Sequence, residues 1–461
     1  MTLRFGTDGV RGVANAELTP ELVLALGRAA ARVLDASRVG RVAIGRDTRR
    51  SGSLLEAALA SGFAAEGVDV ELLGVVPTPT IAWVAAADGM PGAVISASHN
   101  PFADNGVKLF SAGGMKLTDA DEERLEGELD LILHGDASAG PRLTGAKVGQ
   151  IRPAEGLVGR WGDAVVGSIE GRRLDGLRVV IDCANGAASG HATSLFRRLG
   201  AEVEVLHDRP DGRNINEGSG STNPDDLRAA VLAAGADAGL AFDGDADRVL
   251  AVDELGHLLD GDQIIAMLAI DRHDRGALTG DTVVVTVYSN LGLRLAMAER
   301  GIGVVETQVG DRYVLEALER GGWPLGGEQS GHIIFRDLAT TGDGILTGVQ
   351  LLDLLRRSTR PLSDLAGAAM VRFPQVMRSV RVSDRAGTIV SAMSEQIDKV
   401  ERDLGERGRV LVRASGTEPV VRVMVEAEEH SAAEAAVEEL VGAVETAAVE
   451  VAAGPSRPRP S

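Results

Sequence analysis

Residues 41–73, RVAIGRDTRRSGSLLEAALASGFAAEGVDVELL, decide the fold class because they contain a strand, a helix and a second strand in that order. The apolar run 41–44 leads into a polar loop, and residues 54–66 then form a helix-like stretch that ends at Gly67. Residues 68–73 are rich in Val and Leu, which is typical of the next strand. This order predicts a βαβ unit on a mostly parallel sheet.

The same pattern returns at residues 178–206 and 282–306. Each copy has a β-branched run, an amphipathic stretch that ends at glycine, and a second strand-like run. We therefore predict three similar α/β domains with mixed, mostly parallel sheets, followed by a C-terminal part in which the signals have α+β order. The predicted α/β domains are 1–152, 153–255 and 256–367, the α+β domain is 368–452, and a disordered tail is 453–461.

The composition restricts the classes of function. The chain has 461 residues, too many for one hydrophobic core, and 44% of them are hydrophobic. Its net charge of −20 opposes binding to nucleic acid or to an anionic membrane surface. The single cysteine, Cys183, excludes a disulfide framework and suggests a reduced, cytoplasmic setting, in which it is a small buried residue. We also expect no signal peptide and no membrane-spanning helix.

The first loop with catalytic potential is Ser96-Ala97-Ser98-His99-Asn100-Pro101. It follows the apolar run 93–95, so it lies at the carboxyl end of a predicted strand, where α/β folds build their sites. The Asn-Pro pair favours a turn, which indicates a fixed loop. We expect the side chains of Ser98 and His99 to diverge, which disfavours a serine-hydrolase triad. A serine that accepts and returns phosphate fits better, and an ordinary polar turn is the alternative.

The second loop, Asp243-Gly244-Asp245-Ala246-Asp247-Arg248, follows the apolar run 239–242. If it is extended, its three carboxylates lie on one side and form an oxygen-only site, which favours Mg²⁺ over Zn²⁺. Arg248 would help to hold phosphate oxygens near the metal. An EF-hand would place an acidic residue at Glu254, but its sixth position requires Gly where Arg248 stands. A solvated acidic turn is a further alternative, which the flanking apolar runs oppose.

Two further stretches have side chains that suit ligand binding, one to hydroxyl groups and the other to phosphate. In the glycine-rich stretch 326–332, Glu328 and Ser330 can hydrogen-bond to hydroxyl groups, although a plain turn explains it equally well. Residues 413–419, with Arg422 beyond them, combine guanidinium groups, hydroxyls and backbone N–H groups into a phosphate cradle.

Lysine is rare in this chain, with four lysines against forty-three arginines. Lys108 follows Asn105-Gly106, a pair that predicts a hairpin turn. A lysine can change its protonation state where an arginine practically cannot, so Lys108 is a candidate for proton transfer, and a chance lysine on a strand is the alternative. The stretches 5–12 and 45–49 are also basic, and either could be a surface loop.

Together, these motifs resemble the α-D-phosphohexomutase superfamily over the whole chain, with all four signature loops in the family's order. The matching stretches are 5–12, 96–101, 243–248, 309–314, 327–332, 340–345 and 413–419. The resemblance implies four domains around a central cleft, the first three alike. Within the superfamily, the chain is most similar to the bacterial members that act on glucosamine phosphates.

The resemblance also implies roles for individual residues. They fall into four groups: the phosphoserine, Ser98; proton transfer, Arg11, Lys108 and His332; binding of one Mg²⁺, Asp243, Asp245 and Asp247 with an oxygen on Ser98; and substrate binding, Arg248, Glu328, Ser330, Arg413, Ser415, Gly416, Thr417 and Arg422. Three positions depart from residues common in the family, Ser219, Asn223 and Ala414, and we expect none of them to remove the function.

The implied activity is the interconversion of glucosamine 6-phosphate and glucosamine 1-phosphate through glucosamine 1,6-bisphosphate. That bisphosphate or glucose 1,6-bisphosphate is the implied primer, and the product would supply synthesis of UDP-N-acetylglucosamine and cell-wall precursors. The same mechanism on mannose or glucose phosphates is the nearest alternative, and a sugar-phosphate-binding regulator or a metal phosphatase would belong to other classes. The expected partner is a small phosphosugar, and no nucleic acid or membrane is expected. Association into a homodimer is compatible with the sequence.

Overall fold

The computed structural model describes residues 9–34, 36–135, 142–382, 386–415 and 419–453. They divide into two compact units: one takes in the described residues up to Tyr288 and Arg300–Ala369, the other Ser289–Glu299 and the described residues from Met370 onward. Residues 454–461 of the expected tail lie outside the described part of the chain. None of the helices that the structure describes is both long and apolar enough to span a bilayer.

The first sheet of unit one has six strands: β1 Val10–Val13, β2 Arg41–Arg46, β3 Asp69–Val75, β4 Gly92–Ile95, β5 Asp104–Phe110 and β6 Ile151–Pro153. Their order is β1-β5-β4-β2-β3-β6; the last four are mutually parallel, and β5 is antiparallel to both of its neighbours. Five helices accompany them: α1 Pro20–Val33, α2 Ala36–Val39, α3 Gly52–Ala65, α4 Thr78–Asp88 and α5 Asp119–His134.

The second sheet has five strands: β7 Arg178–Asp182, β8 Glu202–Leu206, β9 Ala238–Phe242, β10 Val249–Asp253 and β11 Leu258–Leu259. Their order is β11-β10-β9-β7-β8, with β9, β7 and β8 parallel and the other two pairings antiparallel. The helices in this part are α6 Gly156–Gly167, α7 Ala192–Arg198 and α8 Asp225–Ala234. Cys183 lies just after β7 and is buried as expected, and burial raises the pKa of its thiol.

The third sheet has four strands: β12 Thr282–Thr286, β13 Gly303–Thr307, β14 Leu325–Gly327 and β15 Ile333–Phe335. Their order is β13-β12-β14-β15, and only the β14–β15 pairing among them is antiparallel. The helices in this part of the chain are α9 Gly261–Asp274, α10 Leu291–Glu299, α11 Asp311–Gly321, α12 Gly344–Ser358 and α13 Leu362–Ala369. Of these, α10 belongs to unit two.

Unit two also contains an antiparallel sheet of three strands: β16 Gln375–Arg381, β17 Arg409–Ala414 and β18 Val420–Glu426, with β18 in the middle. Its other helices are α14 Ala386–Ala392, α15 Ser394–Leu404 and α16 His430–Ala453. The helices α14 and α15 are divided at the buried residue Met393. This division lets Ile389, Met393 and Val400 enter the same core.

The predicted fold class is confirmed, since each βαβ repeat contains a parallel strand pair: β2–β3, β7–β8 and β12–β13.

The hairpin turn predicted at Asn105-Gly106 is wrong, because both residues lie inside β5. Asn105 Nδ2 donates to Ser51 Oγ at 2.9 Å, and a Cβ on Gly106 would stand 2.7 Å from Ser96 O. The glycine permits close approach of neighbouring strands, a requirement that a short-range turn signal does not reveal.

Candidate active site

Ser98 lies after β4 in a left-handed backbone conformation, with φ of 51°. A residue other than glycine keeps this conformation only where its surroundings hold it. Its N–H donates to Ser96 Oγ at 2.9 Å, and its carbonyl oxygen accepts from Arg49 and Asn216. Its hydroxyl donates to Asp243 Oδ2 at 2.5 Å, and the residue is 1% exposed. The loop is fixed, and the serine hydroxyl faces the acidic loop.

The expected divergence of Ser98 and His99 is wrong. His99 Nδ1 lies 3.4 Å from Ser98 Oγ and 3.3 Å from Arg248 Nη1. The unusual φ of Ser98 turns the two neighbouring side chains to the same side, which ordinary extended backbone would not do. Burial, followed by the charges of Arg248 and Arg11, lowers the pKa of His99, which keeps the imidazole neutral near pH 7.

The acidic loop is a turn and not the extended segment that its alternate spacing suggested. Ala246 N donates to Asp243 O at 3.1 Å, and Ala246 has φ of 56°. The turn brings one oxygen from each of Asp243, Asp245 and Asp247 within 4.8 Å of the others, with all three residues buried. Gly244 permits close approach to the serine loop, because a Cβ there would stand 2.6 Å from a carbonyl oxygen of that loop.

Two buried oxygens of this cluster, Asp245 Oδ1 and Asp247 Oδ1, have no hydrogen-bond partner among the residues that the structure describes. The other oxygen of each carboxylate accepts from Lys108 Nζ, at 2.7 Å and 3.3 Å respectively. Buried charges are costly unless they are paired, so the two oxygens indicate a cation shared by the three aspartates. Among the described residues, Asp243, Asp245 and Asp247 form the one group of three or more acidic, imidazole or thiol side chains that lie close enough together to hold a metal ion. The all-oxygen donor set fits a divalent cation such as Mg²⁺.

The three carboxylates differ in their electrostatics. Burial, with repulsion from Asp247 and Asp245, raises the pKa of Asp243 well above its usual range. Burial acts upward on Asp247 too, but Lys108 leads the groups that outweigh it and hold the pKa of Asp247 well below its usual range. Thr78 Oγ1 donates to Asp245 Oδ2 at 2.6 Å and joins Lys108 in lowering the pKa of Asp245 against burial. A bound cation would relieve the repulsion at Asp243.

Three basic residues named by the sequence surround these loops. Lys108, on β5, is 3% exposed and tied to two carboxylates, so it is not an isolated lysine on a strand. Arg248 N donates to Asp243 Oδ1 at 3.2 Å, and its Nε lies 3.8 Å from Asp247 Oδ1. Arg11, on β1, is half-buried. The structure thus brings positive charge to the serine loop and to the acidic turn.

The glycine-rich stretch joins β14 to β15 and contacts the end of the acidic turn. Val249 N donates to Gly331 O at 3.1 Å, and Gly331 has φ of 91°, with no room for a Cβ beside Val249 O. Glu328 Oε1 accepts from Gly310 N at 3.1 Å, and its Oε2 accepts from Ser330 Oγ at 3.3 Å. Glu328 and Ser330 are half-buried, so this shaped turn leaves their polar groups partly accessible.

His332 follows this loop and is buried between two aspartates. Its Nδ1 lies 3.7 Å from Asp247 Oδ2, and its Nε2 lies 3.4 Å from Asp311 Oδ2. Gly342 N donates to Nε2 at 3.0 Å, so the neutral ring carries its proton on Nδ1. Burial lowers the pKa of His332, but Asp247 and Asp311 raise it more, and the net direction is upward. Lys116 also pairs with the carboxylate of Asp311.

The expected phosphate cradle lies in unit two and is described only in part. Arg413 on β17 and Arg422 on β18 are directly opposed in antiparallel register. Like charges placed opposite each other destabilise a sheet, and an anion between them would offset that cost. Ser415 N donates to Val420 O at 2.9 Å at the base of the connecting loop. The remaining members lie outside the described residues: Gly416, Thr417 and Glu418.

Several residues that shape the site carried no assignment from the sequence. Thr78 and Asn216 act only through partners far along the chain, which no local pattern reveals. The surface-loop alternative for the stretch 45–49 is wrong at Arg49, which is 1% exposed. Lys116 could have been found, because the rarity of lysine that marked Lys108 applies to it equally.

Four family models match the chain. They are described as the phosphoglucomutase/phosphomannomutase α/β/α domains I, II and III and the C-terminal domain, and they match residues 2–133, 162–256, 260–373 and 371–443.

Individual proteins resemble it over nearly its whole length. A phosphoglucosamine mutase of Frankia alni is 51% identical over 460 residues, which cover 97% of this chain and 99% of the relative. A phosphoglucosamine mutase of Thermobifida fusca is 52% identical over 450 residues, which cover 96% and 98%. The crystal structure of a phosphoglucomutase/phosphomannomutase family protein from Burkholderia thailandensis has a TM-score of 0.79 at 27% identity and covers 96% of this chain and 97% of its own.

Proposed function

Because the chain belongs to the phosphoglucomutase/phosphomannomutase family, we propose that it interconverts glucosamine 6-phosphate and glucosamine 1-phosphate. Relatives named phosphoglucosamine mutase, 51% and 52% identical over nearly the whole chain, support this substrate over mannose or glucose phosphates. The observation that carries the chemistry is the buried hydroxyl of Ser98, which donates at 2.5 Å to one of three converging carboxylates.

In the proposed cycle, phosphorylated Ser98 gives its phosphoryl group to the free hydroxyl of the sugar phosphate. The bond from phosphorus to Ser98 Oγ breaks, a bond to the sugar oxygen forms, and the proton of the hydroxyl passes to a basic group of the enzyme. The resulting glucosamine 1,6-bisphosphate reorients, and its other phosphate returns to Ser98. Such a reaction depends mainly on positioning and on stabilisation of charge.

Lys108, His332 and Arg11 are proposed to assist proton transfer, each in a different way. Lys108 can change its protonation state where an arginine practically cannot, so it is the proposed proton carrier. Both ring nitrogens of His332 face protein groups, so we assign it the task of orienting Asp247, which Lys108 also contacts. Arg11 supplies fixed positive charge near the serine loop, where it acts on His99.

The proposed metal is Mg²⁺, which when bound supplies positive charge against the transferring phosphoryl group. Asp243, Asp245 and Asp247 would hold it, together with an oxygen on phosphorylated Ser98. Lys108 keeps two of these carboxylates ionised, as their pKa directions indicate. Glucosamine 1,6-bisphosphate or glucose 1,6-bisphosphate is the proposed primer, because an unphosphorylated serine cannot begin the cycle.

The remaining residues are proposed to bind the substrate. Glu328 and Ser330 would bind sugar hydroxyls, and Arg248 would contact the phosphate at the reacting end. The residues proposed to bind the non-reacting phosphate are Arg413, Ser415, Gly416, Thr417 and Arg422. Guanidinium groups suit this task because they form paired hydrogen bonds with phosphate oxygens.

A mutase assay with Mg²⁺ and a bisphosphate primer tests the proposal. It compares kcat/KM for glucosamine 6-phosphate, glucose 1-phosphate and mannose 1-phosphate and measures free phosphate. Preference for the glucosamine phosphate without phosphate release supports the proposal. Preference for another sugar would change the substrate and keep the mechanism, whereas net phosphate release would indicate a phosphatase.

The variant Ser98→Ala tests the phosphoserine. It should abolish turnover and leave the Tm near that of the wild type, since it removes only a hydroxyl. Ser53→Ala, at an exposed position of α3, is the control and should keep full activity. Full activity of Ser98→Ala would refute the proposed mechanism.

A further inference from the structure

The basic stretch 45–49, which the proposed function does not use, contains a fully buried arginine. Arg49 lies after β2, and its side chain is 0% exposed. Its Nε pairs with Asp47 Oδ2 at 2.8 Å. Its other four N–H groups donate to carbonyl oxygens: three in the serine loop, Ser98 at 2.8 Å, Asn100 at 2.9 Å and Pro101, and one at the start of β5, Asp104 at 3.1 Å. One guanidinium therefore uses all five of its donors, three of them on this loop.

Asn216, which lies in the segment between β8 and α8, donates to two of the same carbonyl groups. Its Nδ2 is 2.9 Å from Ser98 O and 3.2 Å from Asn100 O. The backbone of Asn216 is itself held, with φ of 59° and its N–H donating to Ala184 O at 2.9 Å. The carbonyl groups of the serine loop are thus bound by donors from two parts of the chain.

A third connection joins Arg49 to the amide side of Ser98. Asp47 Oδ2, which pairs with Arg49, accepts from Ser96 Oγ at 2.7 Å. Ser96 Oγ in turn accepts from Ser98 N at 2.9 Å. Both backbone groups of Ser98 are therefore bound, which explains how a serine keeps a positive φ.

We propose that Arg49 and Asn216 are positioning residues for phosphoryl transfer, which hold the serine loop so that Ser98 Oγ faces Asp243. This role rests on the proposed function. Without these donors, Ser98 would relax to the commoner negative φ, and its hydroxyl would turn away from the acidic cluster. A displacement of about 1 Å at a reacting group can cost about 100-fold in rate.

Arg49→Lys tests the role with charge retained beside Asp47. An ammonium group carries its donors at one point and cannot reach four separated carbonyl oxygens. We expect kcat to fall about 10- to 100-fold, whereas KM for glucosamine 6-phosphate should change by less than about threefold, because neither residue is assigned a contact with the sugar. The matched control is Arg46→Lys, in the same stretch, since Arg46 pairs with Glu56 at 3.2 Å.

Asn216→Ala is a second variant, needed because a buried arginine can be essential for folding. It removes two hydrogen bonds from the loop and leaves no buried charge behind. We expect a fall in kcat of about tenfold with little change in KM. Rates are expressed per phosphorylated enzyme, so that a smaller folded fraction alone does not lower them.

Hydrogen exchange of residues 96–104 supplies a readout that does not depend on activity. Exchange should be faster in Arg49→Lys and Asn216→Ala than in the wild type, and unchanged in Arg46→Lys. Wild-type kcat in both test variants, or a fall in kcat that Arg46→Lys shares, would overturn the positioning role. A wild-type enzyme that isomerises no sugar phosphate would instead contradict the proposed function, and the exchange rates would still decide whether these residues hold the loop.

Discussion

One hydroxyl group helps to decide which way a single carboxylate faces. Thr78 Oγ1 at 2.6 Å and Lys108 Nζ at 2.7 Å both donate to Asp245 Oδ2. The other oxygen, Asp245 Oδ1, is left without a hydrogen-bond partner in the acidic cluster. Groups that orient a metal ligand in this way are typically worth about 10- to 100-fold in metal affinity.

The substitution Thr78→Val keeps the side-chain shape and removes the donor. We expect the affinity for Mg²⁺, measured by calorimetry on the purified protein, to fall about tenfold. Thr80→Val is the control two residues along α4, because the buried Oγ1 of Thr80 has no hydrogen-bond partner in the described part of the chain. Equal Mg²⁺ affinity in the two variants would contradict the orienting role of Thr78.

At the scale of elements, one carboxylate ties α12 to α6. Asp343 caps α12, with Oδ1 accepting from Leu346 N at 2.9 Å and Oδ2 accepting from Trp161 Nε1 at 3.1 Å. Burial raises the pKa of Asp343 from 3.8 to about 6, although both hydrogen bonds act in the opposite direction. The pKa of Asp343 is therefore higher in the folded state than in the unfolded state. The contribution of Asp343 to stability is complete below its unfolded-state pKa and is lost as the pH rises through its folded-state pKa.

Asp343→Asn does not titrate, so it isolates this contribution. We compare the free energy of unfolding of the wild type with that of Asp343→Asn. The difference, wild type minus variant, should decline by about 3 kcal/mol in all as the pH rises to about 6, and it should stay constant above about pH 7. Urea unfolding at several pH values measures the difference. The upper part of this pH-dependent decline lies at roughly pH 5 to 7. If the difference in free energy does not change over that range, Asp343 has an ordinary pKa.

The strand β5 lies between two neighbours, and its glycine is a packing requirement. A Cβ on Gly106 would stand 2.7 Å from Ser96 O and 2.9 Å from Val10 O. Gly106→Ala should therefore lower the free energy of unfolding by about 2 kcal/mol or more. Gly127→Ala, in α5 where a Cβ meets nothing within 4 Å, should instead stabilise by about 0.5–1 kcal/mol. Urea unfolding compares them, and equal effects of the two substitutions would contradict the steric argument.

At the scale of the whole molecule, the acidic cluster joins stretches far apart in sequence. Ser98 and Asp243 are 145 residues apart, and Lys108 and Asp247 are 139 apart. A cation held there binds the folded chain and not the unfolded one, so it stabilises the fold by mass action. At a free Mg²⁺ concentration of about 100 times Kd, the gain is about 2.7 kcal/mol.

Mg²⁺ should therefore raise the Tm of the wild type, and removal by EDTA should reverse the change. Asp245→Asn should lose most of this Mg²⁺-dependent rise, because it removes a charged ligand from the cluster. Asp130→Asn, at an exposed position on α5, should retain it. Scanning fluorimetry with and without Mg²⁺ measures the effect, and an undiminished rise in Asp245→Asn would place the metal elsewhere.

By itself, the sequence determined the class and order of the elements, because helix and strand signals depend on residues only a few positions apart. The strand pairs predicted for the three repeats are present as β2 and β3, β7 and β8, and β12 and β13. Sequence reasoning also selected both principal loops, since serine before Asn-Pro and three alternate aspartates are local patterns.

Only the tertiary structure decided how these loops face each other. The donors to the serine loop, Arg49 and Asn216, lie 49 and 118 residues from Ser98, and no local pattern pairs them with it. The glycine of β5 and the neighbouring side chains of Ser98 and His99 were predicted wrongly for the same reason. The conformations of these residues depend on contacts with strands and loops that are distant in sequence, and such contacts exist only once the chain has folded.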